Sequence, residues 1–120
     1  MAEFALVLPV LAVLLFGVMQ FGIVFNNYET LTDAARAGAR KAAVGRQASD
    51  PVGDAIAAVR ASATDLDQAK LDVQIDPSSA GGFQPGADVT VEASYPYSID
   101  LLGVVIKSGS LISTTTERIE

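Results

Sequence analysis

The most strongly patterned part of the chain is an uncharged apolar run near its beginning. Residues 4–25 contain 18 apolar residues out of 22 and no charged residue. As an α-helix this run would extend about 33 Å, close to the roughly 30 Å of a bilayer hydrocarbon core. The pattern therefore predicts a membrane-spanning helix. Four residues interrupt the run: Pro9, Gly17, Gln20 and Gly22.

Two ordinary interpretations compete for this run, a cleavable signal peptide and a single-span anchor. No Lys or Arg precedes the run, and it is longer than the roughly 7–15 residues of a signal-peptide core. No small-x-small cleavage site follows it before the next helical pattern begins. These features disfavour a signal peptide, whereas the single-span anchor stays open.

A second helical pattern, rich in Ala, follows over residues 26–45. Ala34, Gly38 and Ala42 recur every four residues and form a strip of small side chains, which lets another backbone approach closely. No proline occurs between residues 10 and 50. We therefore expect one continuous helix over residues 2–45, about 66 Å long.

Two residues near the start of this helix have specific expected effects. Pro9 lacks a backbone N–H and leaves the Ala5 carbonyl unpaired, so a local kink or melted turn is expected. Glu3 lies at the edge of the apolar run, where it would complement the helix dipole at a membrane surface. If neighbouring helices buried Glu3 instead, its carboxylate would require a cation such as an α-amino group.

The remaining residues, 46–120, predict a small α+β domain that begins with a helix. Asp50 and Pro51 form a helix-start signal, with Asp as the N-cap and Pro in the first turn. The helical pattern extends over 50–66. Its predicted buried face contains Val52, Ile56, Val59 and Ala63.

Three strands follow this helix. Strict alternation of apolar and polar residues predicts strands at 71–76 and 88–94, separated by a Gly-, Pro- and Ser-rich loop at 77–87. An apolar patch at 101–106 precedes a Thr- and Ile-rich run at 110–120, which predicts a third antiparallel strand. Because three strands and one helix make a thin core, we expect the sheet to lean on the long helix.

Composition and charge exclude most catalytic chemistry. The 120 residues contain no Cys and no His, which removes thiol nucleophiles, imidazole bases, disulfides and Cys/His zinc sites. With eight basic residues and a net charge of −6, nucleic acid is not an expected partner. We predict no enzyme activity, no cofactor and no metal. The acidic residues are dispersed and lack calcium-loop spacing, as in Asp65, Asp67, Asp72 and Asp76.

The charge is unevenly distributed along the chain. Residues 27–46 carry +2 (four bases and two acids), whereas residues 47–120 carry −7 (four bases and eleven acids). A basic segment directly after a membrane span favours a cytoplasmic location for that segment and the domain attached to it. That orientation holds unless a segment removed from the chain sets the topology.

Three blocks of sequence together resemble TadE-like proteins, the pseudopilins of the tight-adherence branch of type IV pili. The blocks are residues 2–22, 26–45 and 88–97. The resemblance implies a precursor whose basic leader is removed by a prepilin peptidase on the cytoplasmic side. The helix then holds the subunit in the inner membrane with its domain outside, until an assembly platform extracts it into a filament. A removed leader would also account for the orientation of the basic segment.

The resemblance also implies a type IV pilin-like α+β fold with three parts: a hydrophobic half-helix (1–26), an amphipathic half-helix (27–45) and a globular head (46–120). It implies that Glu3 neutralises a neighbour's α-amine and sets the axial register, although the family's glutamate is usually the fifth mature residue. A helix that is apolar on all faces must be buried on all faces, as in a bundle of identical helices. The expected helix–helix contact residues are Phe4, Leu8, Leu11, Leu15, Gly17, Phe21, Gly22, Ala34, Gly38 and Ala42.

The leading hypothesis is a structural subunit of an extracellular pilus for surface attachment, a homo-oligomeric helical filament whose precursor lies in the cytoplasmic membrane. A minor pseudopilin and a membrane-anchored binding module that never polymerises are the alternatives. A third hypothesis, an envelope hydrolase, has only dispersed carboxylates to support it.

Overall fold

A single long helix runs through more than a third of the chain in the computed structural model, which describes residues 2–78, 82–101 and 103–120. This helix, α1, spans Ala2–Val44, 43 residues, and confirms the helix expected over 2–45. It stays helical through Pro9, so no melted turn interrupts it, and a kink there stays a prediction.

The second helix, α2, spans Pro51–Ser62 and begins at the predicted signal. The Gly53 N–H donates to the Asp50 carboxylate at 3.0 Å, which satisfies one of the unpaired N–H groups of the first turn. The helix ends four residues earlier than expected. After it, the Gln68 side chain donates to the Ala63 carbonyl at 2.9 Å and fixes the turn there.

The face of α2 that is buried is rotated by part of a helical turn from the face predicted to be buried. Val59 and Ala63 are fully buried as expected, whereas Val52 and Ile56 are only half-buried and Ala55 is fully buried instead. Ala55 lies against α1, where its carbonyl oxygen would be 3.3 Å from a Cβ added to Gly38. Helical periodicity identified the element, but the partner surface decides which residues become buried.

The three predicted strands form one antiparallel sheet, and their order in it is β1-β2-β3. They span Asp72–Pro77 (β1), Asp88–Leu101 (β2) and Val104–Arg118 (β3). β1 pairs with β2 only as far as the Asp72–Ser94 pair, whereas β2 and β3 pair along their whole lengths. Part of the predicted loop, residues 79–81, and residue 102 of the predicted apolar patch lie outside the described residues.

β2 and β3 are both longer than the alternation pattern predicts. Pro96 made residues 95–97 resemble a strand end, but this proline lies beyond the end of β1, where one edge of β2 is open and no ladder N–H is required there. The predicted apolar patch therefore lies at the turn end of the β2–β3 hairpin. Gly103, with φ of 85°, adopts there a backbone conformation that favours glycine.

The sheet packs against the second half of α1, as expected. Leu31, Val59, Val91 and Ala93 are buried together in the main core cluster. At the edge of this contact the Ser113 hydroxyl donates to Thr32 Oγ1 at 3.1 Å, tying β3 to α1. The α+β arrangement of a long helix, a short helix and a small antiparallel sheet is thereby confirmed.

The end of the chain returns to the end of α1. The Glu120 N–H donates to the Ala43 carbonyl at 3.1 Å, and Arg46 Nε donates to the Glu120 carbonyl at 2.8 Å. The Ile119 side chain is 1% exposed and is buried in a cluster that includes Ala43. This closure satisfies one of the carbonyls that a helix end leaves unpaired, and it fixes the sheet beside residues 31–43 rather than beside the apolar run.

Candidate functional site

The first half of α1 has most of the exposed large hydrophobic side chains of the described chain. Its most apolar 18-residue window has a mean hydropathy of 2.5, and none of that window is buried. This is the one helix among the described residues that is long and apolar enough to cross a membrane. Because soluble monomers rarely expose apolar patches beyond a few hundred Å², this surface requires lipid or protein around it.

The side chains expected at helix–helix contacts fall into two groups, one exposed and one covered. The exposed group projects from the apolar half of α1, and Phe21 has the most exposed side chain in it, at 65%. Its other large members are also exposed: Phe4, Leu8, Leu11 and Leu15. At Gly17 and Gly22 an added Cβ would meet nothing within 4 Å, so both positions face open space.

The covered group is the small-residue strip on the second half of α1. Ala34, Gly38 and Ala42 are fully buried, and the strip lies against α2 and the sheet of the same chain. A Cβ added to Gly38 would overlap Cγ2 of Val59 and approach the Ala55 carbonyl oxygen to 3.3 Å. The close approach predicted from this spacing therefore occurs within the subunit, between α1 and α2.

Glu3 and Pro9 both lie on the exposed half of α1. Glu3 is in the first helical turn, where a carboxylate complements the positive end of the helix dipole. Pro9 lines a shallow apolar depression of about 290 Å³ together with Val10, Val13 and Leu14. The structure places neither residue against another part of the described chain.

A charged cleft of about 740 Å³ separates α1 from β3 at the opposite end of the helix. Arg36 and Arg40 line it from α1, and Glu117, Arg118 and Glu120 line it from the end of β3 and beyond. Arg36 also lies 3.9 Å from the Asp33 carboxylate, as their spacing suggests, but both side chains are mostly exposed. Such a pair contributes little to stability, about 0–1 kcal/mol.

The dispersed carboxylates remain dispersed in three dimensions. Asp65, Asp67, Asp72 and Asp76 are all exposed, and Asp67 uses its carboxylate to accept a hydrogen bond from the Ala69 N–H at 3.1 Å. Within the described ranges, no three acidic side chains come together to hold a metal ion.

Sequence reasoning missed two features of the site. One is that α2 covers the small-residue strip, which the spacing of the strip did not reveal because a strip of small residues fits any closely approaching backbone. The other is the length of the β2–β3 hairpin, for which the apolar patch at 101–106 between two alternating segments was the available signal.

The comparison with protein families points to the same part of the chain as the exposed apolar surface. A family model described as TadE-like protein matches residues 1–40, which include the whole apolar half of α1. No curated protein and no solved structure matches the chain. Over residues 1–40, a third of the chain, this protein is therefore similar to TadE-like proteins of the tight-adherence system.

Proposed function

We propose that this protein is a structural subunit of an extracellular tight-adherence pilus and polymerises through the apolar half of α1 into a helical filament. The carrying observation is that no residue of the most apolar window of this half-helix is buried in the single chain, while the head forms its core with the second half of α1. The TadE-like match over the same residues supports the association with a pilus.

The physical argument concerns the surroundings of residues 4–25. Lipid covers this surface while the precursor is held in the cytoplasmic membrane. After the prepilin peptidase removes the leader and the assembly platform extracts the subunit, sister helices are the apolar environment that replaces lipid. Each subunit then repeats one heterologous contact, which builds an open filament rather than a closed ring.

Glu3 has a specific role in this proposal. In a bundle of α1 helices its carboxylate would leave water, and an unpaired buried charge is costly. The α-amino group of a neighbouring subunit supplies the compensating cation, and this pairing sets the axial offset between subunits. The exposed position of Glu3 in the single chain leaves it accessible to such a neighbour.

Replacement of Glu3 tests the proposal. We expect Glu3→Ala to abolish or strongly reduce the filaments recovered by shearing cells, because no carboxylate then fixes the register. The subunit should still accumulate in the membrane fraction. The matched control is Asp65→Ala, which removes an exposed carboxylate from the head and should leave filaments unchanged.

Electron microscopy of sheared material, with determination of helical symmetry, provides the direct measurement. Normal filaments from Glu3→Ala would show that Glu3 does not have this role. If the unaltered chain is found only in the membrane fraction and never in filaments, the protein is an anchored binding module and polymerisation is wrong. Substoichiometric recovery in filaments would identify a minor pseudopilin.

A further inference from the structure

A stripe of exposed charged residues runs along the side of α1 opposite its buried face. At about 100° per residue, its members lie within about 60° of one another around the helix. They are Glu29, Asp33, Arg36 and Arg40, all exposed. The middle of the buried face, at Leu31, Gly38 and Ala42, lies on the other side of the helix. These four charged residues, here called the charged stripe, are therefore accessible to another molecule.

The two signs of the charged stripe are separated along the helix. Glu29 and Asp33 come first, four residues apart, and Arg36 and Arg40 follow, also four residues apart. Like charges at this spacing destabilise a single helix. Among the described residues the one salt bridge joins Arg36 to Asp33 at 3.9 Å, and their side chains are still 68% and 75% exposed. The single chain therefore neutralises the charged stripe only in part.

Arg40 also has acidic neighbours across the cleft between α1 and β3. Glu117 and Glu120 line this cleft together with Arg40. Within the described ranges, neither carboxylate lies close enough to Arg40 to form a salt bridge. Direct contact within the chain therefore does not neutralise Arg40.

The spacing of the charged stripe matches a copy of itself shifted by seven residues. Two of the four acid-to-base separations are seven residues, from Glu29 to Arg36 and from Asp33 to Arg40, and the others are three and eleven. A parallel α1 shifted by seven residues, about 10.5 Å, therefore brings both acidic residues level with both basic residues. With no shift, or with a shift of four residues, like charges would face each other.

The charged stripe continues one face of the apolar half of α1. Residues spaced alternately by four and three positions lie on the same side of the helix and lead to Glu29: Phe4, Leu8, Leu11, Leu15, Val18, Gly22 and Phe25. Five of these seven residues are expected helix–helix contacts. A seven-residue repeat of this kind is the pattern along which parallel helices pack. A second copy of α1 that covers this apolar face would therefore also lie along the charged stripe.

We propose that the charged stripe sets a seven-residue stagger between the parallel α1 helices of neighbouring subunits. Glu29 of one subunit pairs with Arg36 of the next, and Asp33 pairs with Arg40. The proposal rests on polymerisation through α1, as in the proposed function. Each subunit uses its acidic residues on one neighbour and its basic residues on another, so the contact is heterologous and propagates. Because charged pairs supply specificity more than affinity, the stripe selects the offset while apolar burial holds the helices together.

The membrane and Glu3 are both compatible with this stagger. An antiparallel pair of helices would also bring opposite charges together, but its apolar halves would point in opposite directions. Copies held in one membrane by residues 4–25 share one direction. The charged stripe lies about 45 Å along the helix from Glu3, and a subunit in a helical filament has neighbours on several sides. The two contacts therefore act at separate levels and are tested separately.

The absence of cysteine from the sequence allows the stagger to be measured by cross-linking. Leu11→Cys and Val18→Cys, combined in one full-length chain, lie seven residues apart on the face that leads to the charged stripe. Within one helix they are about 10.5 Å apart, too far for a disulfide. Oxidation of sheared filaments should therefore link neighbouring subunits into a ladder of multimers. Each single variant should give little cross-linking, and so should Leu11→Cys combined with Gly22→Cys, which reports an eleven-residue stagger.

Charge reversal tests the stripe itself. Asp33→Arg and Arg40→Asp should each lower the recovery of filaments about tenfold, because like charges then face each other across the contact. The two reversals combined should restore filaments and the seven-residue cross-link. Positions 33 and 40 are about 10.5 Å apart in one chain, so their side chains do not meet there and restoration reports contact between chains. Circular dichroism of each purified variant establishes that its head is folded.

The matched control for these reversals is Lys41→Asp. It makes the same change of charge as Arg40→Asp at the next residue, which is also exposed but lies off the charged stripe. This variant should leave both the filaments and the seven-residue cross-link unchanged. A loss of filaments as large as that from Arg40→Asp would mean that net charge, and not the stripe, controls assembly.

The possible failures are distinguishable. If the unaltered chain never forms filaments, the proposed function fails and the stagger fails with it. If filaments form but the eleven-residue pair cross-links instead of the seven-residue pair, the stagger is wrong although polymerisation stands. If the seven-residue pair cross-links but the combined reversal does not restore assembly, apolar packing alone sets the offset and the charged stripe has no part in it.

Discussion

At the scale of single residues, Gly38 determines how closely α2 approaches α1. The position has room for hydrogen only, because Cγ2 of Val59 and the Ala55 carbonyl occupy the place where a Cβ would project. Val59 is fully buried and β-branched, so its side chain has no alternative rotamer into which it moves freely. The contact between the helices therefore depends on this glycine.

Gly38→Leu should destabilise the head by about 3 kcal/mol or more, because the added side chain overpacks a rigid contact. The matched control is Gly22→Leu, which introduces the same side chain on the same helix where an added Cβ meets nothing. The control should leave the unfolding of the head unchanged. Denaturant unfolding of both variants in detergent, followed by circular dichroism, measures the difference, and equal stabilities would contradict this account.

Residue-level predictions succeed where the determining contacts are local. The Asp50–Pro51 helix start is correct because the N-cap hydrogen bond to Gly53 joins residues three positions apart. The small-residue strip is predictable as a site of close approach, but its partner is not. The spacing of these residues shows that they share one face of α1. Which element covers that face depends on how the whole head packs onto the helix.

At the scale of elements, β3 is held at its far end by the last two residues of the chain. Ile119 is buried beside Val89 and Ala42, and its backbone pairs with Ala87 at 2.8 Å. Ile112, within β3, is 53% exposed. One residue type therefore occupies two very different environments within eight positions.

Ile119→Ala should lower the free energy of unfolding by about 2–4 kcal/mol, because it removes buried methyl groups and leaves a cavity. Ile112→Ala should change stability by no more than about 0.5 kcal/mol. Thermal unfolding of the two variants in the same detergent provides the comparison. A similar loss in both would mean that the segment after β3 does not close the core.

The sequence predicts the elements more reliably than their lengths. The continuous helix is correct because Ala, Leu and other helix-forming residues dominate it and no proline follows Pro9 within it. The lengths of β2 and β3 are wrong because Pro96 and the Ser- and Gly-containing run at 107–110 resemble strand ends locally. The ladder between the two strands, formed by residues far apart in sequence, overrides that local preference.

At the scale of the whole molecule, the apolar half of α1 and the head are separable. The buried residues of α1 begin at Leu31 and extend to Ala43, so the first half of the helix contributes nothing to the described core. The fold of the head should therefore persist without it. The same separation allows the apolar half to exchange lipid for protein without unfolding the head.

A fragment of residues 26–120 should be a folded monomer in buffer without detergent, with Asn26 serving as an N-cap for the shortened helix. The full chain should require detergent or lipid. Sedimentation and circular dichroism of both test this, with the Gly38→Leu fragment as a control for loss of the head. An unfolded or aggregated fragment would show that the apolar half supports the head.

Whole-molecule assembly is the level at which the sequence alone predicts least. A helix that is apolar on every side indicates complete burial, but lipid and sister helices satisfy the same surface equally well. The sequence also does not decide on which side of the membrane the head lies. The charges of residues 27–46 favour the cytoplasmic side, whereas a removed leader would favour the outer side.

Ser113 contacts Thr32 and Glu120 contacts Ala43, so β3 runs in the same direction as α1, and this parallel course has a mechanical consequence. A pulling force along the 70 Å axis would act on the ladder between β2 and β3 lengthwise, in shear, so that many hydrogen bonds share the load at once. The contact of Glu120 with Ala43 would spread the same load into the end of α1. A fibre built from such subunits would resist tension through whole strands rather than through the successive opening of single pairs.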